Sequence, residues 1–123
     1  MVKVVVVDDS FLVQRSLGRL LTSAAGINVV GYAEDVAGAT ALIDATRPDV
    51  VVLDVDLRNE DRGMDVLRYV VREHPGIKVI ALSNFTWQAM REGFLQAGAS
   101  AYFDKSLEFM QARDWITDHF TTA

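Results

Sequence analysis

The 123-residue chain contains no cysteine, which excludes a disulfide framework, a thiolate metal site and a cysteine nucleophile. Proline occurs only at Pro48 and Pro75, so no proline-rich linker divides the chain. Long apolar runs are missing as well. The longest stretch without a charged residue, Leu20–Ala33, covers 14 residues and is interrupted by Gly26 and Gly31. A bilayer span needs about 20 apolar residues. Between Lys3 and Asp8 stand only Val4–Val7, too few for the apolar region of a signal peptide. Basic charge is in deficit, with 12 Lys+Arg against 17 Asp+Glu and a net charge of −5. That balance disfavours a nucleic-acid backbone as a direct partner. The expectation is one soluble, cytoplasmic domain over residues 1–123, with no appended effector module.

What is present is a regular alternation of short β-branched runs and longer helical patterns. Lys3–Val7, Asn28–Tyr32, Val50–Leu53, Lys78–Leu82 and Ala101–Phe103 read as strands. Their near-continuous apolar character fits a parallel sheet covered on both faces. Helices are predicted over Ser10–Ala25, Val36–Thr46, Gly63–Glu73, Thr86–Ala97 and Leu107–Phe120. Leu12, Leu17, Leu20 and Leu21 supply the apolar side of the first, and Val66, Leu67, Val70 and Val71 that of the third. In the fifth, Phe109, Ala112, Ile116 and Phe120 form a core-facing stripe. Five β/α units imply a doubly wound, three-layer α/β fold, for which the common strand order is 2-1-3-4-5.

The residues that end each run carry the chemistry. The first strand ends in Asp8-Asp9, the third in Asp54, the fourth in Ser83 and the fifth in Asp104-Lys105. Ligands of open α/β sheets bind beyond the carboxyl ends of the strands, where strand order reverses. Asp8, Asp9 and Asp54 would converge there, with Ser83 and Lys105 opposite. Three close carboxylates repel one another and call for a cation. Oxygen-only ligands with room for water and phosphate favour Mg²⁺. Beside such an ion Asp54 could attack phosphorus, with Ser83 donating to one phosphoryl oxygen and Lys105 neutralising another. Taken singly, each of these residues is as well explained by a helix cap or a turn, with Asp9 or Ser10 capping the first helix. Taken together, their common place at strand ends favours phosphoryl transfer onto a carboxylate.

Over its whole length the sequence resembles the receiver domain of two-component response regulators. The resemblance rests on Asp8-Asp9 after VVVV, Asp54 after VVVL, Ser83 after IAL, and Tyr102-Phe103-Asp104-Lys105. It implies a flavodoxin-like fold and a phosphoacceptor at Asp54, loaded from a sensor histidine kinase or a histidine phosphotransfer protein. It implies Mg²⁺ held by Asp9 and Asp54 directly, by Asp8 mainly through water, and by the backbone carbonyl of Asp56. Ser83 and Tyr102 become the switch pair, with Lys105 the family's site lysine. The face of helix 4, strand 5 and helix 5 would then signal to a downstream protein.

Some positions depart from the family pattern. Gly63 stands nine residues after Asp54 where eight is usual, so the segment Arg58–Arg62 is one residue longer than the family's. Lys105 precedes Ser106 rather than the common Pro; a cis bond costs about 3 kcal/mol more without Pro, and the isomer stays open. Asp56 and Asn84 occupy positions that tune phosphoryl lifetime. Trp87 and Trp115 are expected on helices 4 and 5, by default in the core. Trp115 lies one position off its helix's stripe and could form a partner patch with Trp87 or Met90. Gly93 suits either a soft helix or close packing, while His74 and His119 read as cap or surface residues. Three other functions stay open. Asp54-Val55-Asp56-Leu57 resembles the motif of haloacid-dehalogenase-type phosphatases, although on the third strand rather than the first. A flavodoxin-like cofactor binder would need a phosphate cradle where Asp8 and Asp9 stand. An unphosphorylated interaction module would not need all five site residues. Setting aside Asp8, Asp9, Asp54, Asp56 and Lys105 leaves 13 acidic against 11 basic residues, so most of the acidic surplus belongs to one pocket.

Overall fold

The valine-rich runs form five strands in a computed structural model of the chain: β1 (Val2–Val7), β2 (Ile27–Ala33), β3 (Val50–Asp54), β4 (Lys78–Ser83) and β5 (Ala101–Asp104). Helices α1 (Phe11–Thr22), α2 (Val36–Thr46), α3 (Gly63–Glu73), α4 (Gln88–Ala97) and α5 (Phe109–Phe120) alternate with them. The structure describes residues 1–57, 62–84, 87–105 and 109–120, and for Phe109 the backbone alone. Thr86, Leu107, Ser106 and residues 58–61 of the long loop lie outside the described residues, and so do the Lys105–Ser106 bond and the Phe109 side chain. All strand pairs are parallel, in the expected order β2-β1-β3-β4-β5.

Alternate residues of each strand point to opposite faces, and both faces are covered. Val5, Val7, Val51, Leu53, Val79 and Ala81 pack with residues of α2, α3 and α4. Val4, Val6, Val50, Val52, Ile80 and Leu82 pack with Leu17 and Leu21 of α1 and Ala112 and Ile116 of α5. This two-sided burial is why the strands read as unbroken apolar runs.

Local chemistry sets the helix ends. Ser10 caps α1 by accepting the Val13 amide at 3.3 Å, and Asp35 caps α2 by accepting the Gly38 amide at 2.7 Å. The first helix stops at Thr22, short of Ala25: the Ala24 amide turns to the Leu21 carbonyl at 3.2 Å, a three-residue closure, and Gly26 follows at a φ of 89°. Its inward stripe is Gln14, Leu17, Gly18 and Leu21. Leu12 falls off that i, i+3, i+4, i+7 set and is 76% exposed, contrary to the sequence reading. Trp87 also departs from expectation. It precedes α4 as its N-cap residue, so the helix does not carry it inward, and it is 64% exposed. Trp115 half-packs on the α1–α5 layer and stacks on His119 at 3.8 Å. Met90 packs on the opposite layer, so these two do not share a core. A Cβ at Gly93 would meet nothing within 4 Å, which removes close packing as the reason for that glycine. Among the described residues, no helix is long and apolar enough to cross a membrane.

Candidate functional site

Strand register brings the polar residues together. Val7 of β1 lies beside Leu53 of β3, so Asp8 and Asp54 emerge from adjacent strands at the same level. Asp54 pairs with Leu82 of β4, and Ser83 with Asp104 of β5, which places Ser83 and Lys105 on the other side. One oxygen from each of Asp8, Asp9 and Asp54 lies within 4.8 Å of the others. Lys105 closes the group, its Nζ 2.6 Å from Asp8 Oδ2 and 3.2 Å from Asp54 Oδ2. Asp8, Asp54 and Ser83 are buried, and Asp9 is half-buried. The sequence-predicted acids and lysine are therefore assembled in one place.

Hydrogen bonds fix the backbone around them. Asp8 Oδ1 accepts the Ser10 amide at 2.8 Å, and the Asp56 amide approaches Asp54 Oδ1 at 3.4 Å. Gln14, buried on α1, donates from Nε2 to the Asp8 carbonyl at 2.6 Å. Sequence reading passed over Gln14, although its spacing to Leu17, Gly18 and Leu21 marks it as inward-facing. Gly63 has a steric reason: a Cβ there would stand 2.4 Å from the Asp54 carbonyl oxygen. Its amide donates to the Val55 carbonyl at 2.8 Å, so α3 starts hard against the end of β3. The glycine reaches this contact although it comes one residue later than the family pattern.

Burial pushes the Asp54 carboxyl up to about 6, with Lys105 pulling it down and Asp8 pushing it up. Burial works against the Lys105 ammonium, but bonding to Asp8 and the charge of Asp54 outweigh it and leave its pKa above the ordinary value. Behind the acids, Tyr102 is buried and hydrogen-bonded to Ser83. Burial raises its phenol pKa, against the effects of Ser83 and the Arg91 charge. The donor set is oxygen alone, three carboxylates with no imidazole or thiolate, and fits a hard divalent cation such as Mg²⁺.

Comparison with known proteins decides the family. The response regulator receiver domain family matches residues 4–117. The chain belongs to this family. This receiver is 39% identical over 119 residues to the DNA-binding transcriptional activator DevR/DosR of Mycobacterium tuberculosis, covering 96% of the chain and 54% of that protein. Among solved structures, it resembles a two-component response regulator of the LuxR family from Aurantimonas sp. SI85-9A1, with a TM-score of 0.89 and 26% identity over 96% of the chain and 84% of the other. The response regulator domain of Thermotoga maritima CheB follows, with a TM-score of 0.83 and 28% identity over 96% and 92%. The receiver spans about half the length of the curated relatives it matches, 54% of the first protein and 49% of the response regulator GacA of Pseudomonas syringae. Family membership places the chain in two-component signalling and confirms the flavodoxin-like order of its sheet.

Proposed function

We propose that this receiver accepts one phosphoryl group on Asp54 from the phosphohistidine of a sensor histidine kinase or a histidine phosphotransfer protein. The observation that carries the reading is the convergence of Asp8, Asp9 and Asp54 within 4.8 Å, bridged by Lys105. In the transfer, an ionised Asp54 oxygen bonds to phosphorus as the P–N bond breaks. The electron pair leaves with the imidazole, which takes up a proton. An Asp54 pKa of about 6 leaves most of the group ionised at pH 7 and makes it a better nucleophile than an ordinary carboxylate. Asp8, Asp9, Asp54 and the Asp56 backbone carbonyl would hold Mg²⁺. When bound, that ion supplies charge neutralisation between the acids and the phosphoryl oxygens. Lys105 turns from Asp54 to one phosphoryl oxygen, and Ser83 donates to another. Because Ser83 is hydrogen-bonded to Tyr102, its recruitment disturbs the phenol and through it the face of α4, β5 and α5. A downstream protein reads that face, in the cytoplasm and without direct nucleic-acid contact.

The receiver is thus a stoichiometric acceptor that later loses its phosphoryl group to water, not an enzyme acting on an external substrate. Incubation with acetyl phosphate and Mg²⁺, followed by intact mass, tests this. A gain of one phosphoryl group that disappears in Asp54→Ala supports the reading, and no gain points to an unphosphorylated interaction module. Repeated turnover of a phosphate ester would instead favour a phosphatase using Asp54 and Asp56. Asp56 is exposed and next to the site, so Asp56→Asn should change the half-life of the phosphorylated protein. An unchanged half-life would show that Asp56 has no part in dephosphorylation.

A further inference from the structure

Tyr102 is the largest fully buried side chain of the described residues, 1% exposed, yet it lies next to the edge of the sheet on its outermost strand. Three contacts hold it. Phe94 of α4 packs against the ring at a centroid distance of 5.8 Å, tilted by 58°. Ser83 of β4 is hydrogen-bonded to its hydroxyl. Arg91, one turn before Phe94 on the same helix, places its guanidinium carbon 5.4 Å from the ring centroid. Arg91 is itself half-buried. A guanidinium at this distance is attracted by the ring's quadrupole, and more strongly where water is excluded.

We propose that Arg91 is a positioning residue of the switch: laid over the face of Tyr102, it holds the phenol inward, against Phe94 and on Ser83, before any phosphoryl group arrives. Reading Tyr102 as a switch rests on the function proposed above, whereas the clamp is a property of the unphosphorylated chain. The two turns of α4 divide the labour. Phe94 gives the ring an apolar place to sit, and Arg91 biases it toward staying there. Recruitment of Ser83 would remove one of the three contacts and leave the phenol to Phe94 and Arg91. The clamp therefore sets how often Tyr102 stands inward before any phosphoryl group arrives.

Hydroxyl-radical footprinting of the unphosphorylated full chain, read by peptide mass, measures how often Tyr102 is exposed. Tyr32, at 45% exposure, serves as the internal reference. Arg91→Ala and Arg91→Met should each raise the Tyr102 rate relative to Tyr32 about fivefold, the population change expected from one cation–π contact. Met matters because it covers the ring without a charge. An unchanged ratio in Arg91→Ala overturns the proposal. An unchanged ratio in Arg91→Met overturns it too, since plain apolar cover would then suffice. Because the measurement needs no phosphoryl group, failure of Asp54 to accept one would remove the switch reading and leave the clamp standing.

Discussion

At the carboxyl end of the sheet, Asp54 is buried beside Asp8 and faces Lys105, and its carboxyl is pushed up to about 6. On the flank, Asp44 of α2 is an exposed carboxylate whose oxygens accept the Tyr69 hydroxyl of α3 at 2.6 and 2.7 Å. His74 Nε2 lies 2.8 Å from the same carboxylate. Here the pKa is lowered, chiefly by the Tyr69 hydrogen bond and then by His74. The Tyr69 phenol is raised in return, mainly by its bond to Asp44. The same functional group is thus moved in opposite directions. Asp44 has donors and water and ties two helices together. Asp54 has little water and a like charge beside it, and both work against its ionisation.

The two acids make opposite demands on pH. Asp54 binds its proton more tightly when folded, so its contribution to stability is full below the ordinary value of 3.8 and lost as pH rises through about 6. Asp44 contributes above its ordinary value, and that contribution is lost as pH falls through the lowered one. The largest expected effect comes from Lys105→Met, which leaves Asp8 and Asp54 buried without a cation. We expect a loss of about 3 kcal/mol at pH 7 in urea unfolding. The loss should shrink at pH 5, where Asp54 takes up a proton; an equal loss at both would mean that repulsion among the acids is not what Lys105 relieves. Next comes Asp54→Asn in metal-free buffer. It should stabilise the chain by ~2 kcal/mol at pH 7, and the two proteins should converge near pH 4. A destabilised variant at pH 7 would overthrow the contrast between the two acids. The smallest effect is expected for Asp44→Asn. Its melting temperature at pH 7 should fall slightly, by less than either change above, and the gap should narrow in acid. A widening gap would reverse the sign assigned to Asp44.

Much of this was legible in the sequence where a single physical rule decides. Short β-branched runs such as Val4–Val7 fit parallel strands buried on both faces, and five of them with helices between point to the common doubly wound order, which the sheet adopts. Asp8, Asp9, Asp54 and Lys105 were legible because each directly follows or ends such a run, and register then carries them to one level. What escaped depends on helix phase and on contacts across elements. Leu12 misled because apolar character alone does not state which way a helix faces, and the stripe belongs to Gln14, Leu17, Gly18 and Leu21. Trp87 misled because a residue one position before a helix is not held by its periodicity. The Arg91–Tyr102 and Tyr69–Asp44 contacts join residues far apart in sequence, and no local pattern announces them.

The start of α3 has one more consequence. Asp56 and Arg62 are bridged, and the Gly63 amide is tied to the Val55 carbonyl. The two ties fix where the chain leaves β3 and where it enters α3. Asp54 and Gly63 are thereby held at one junction, with a spacing of nine residues in place of the family's usual eight.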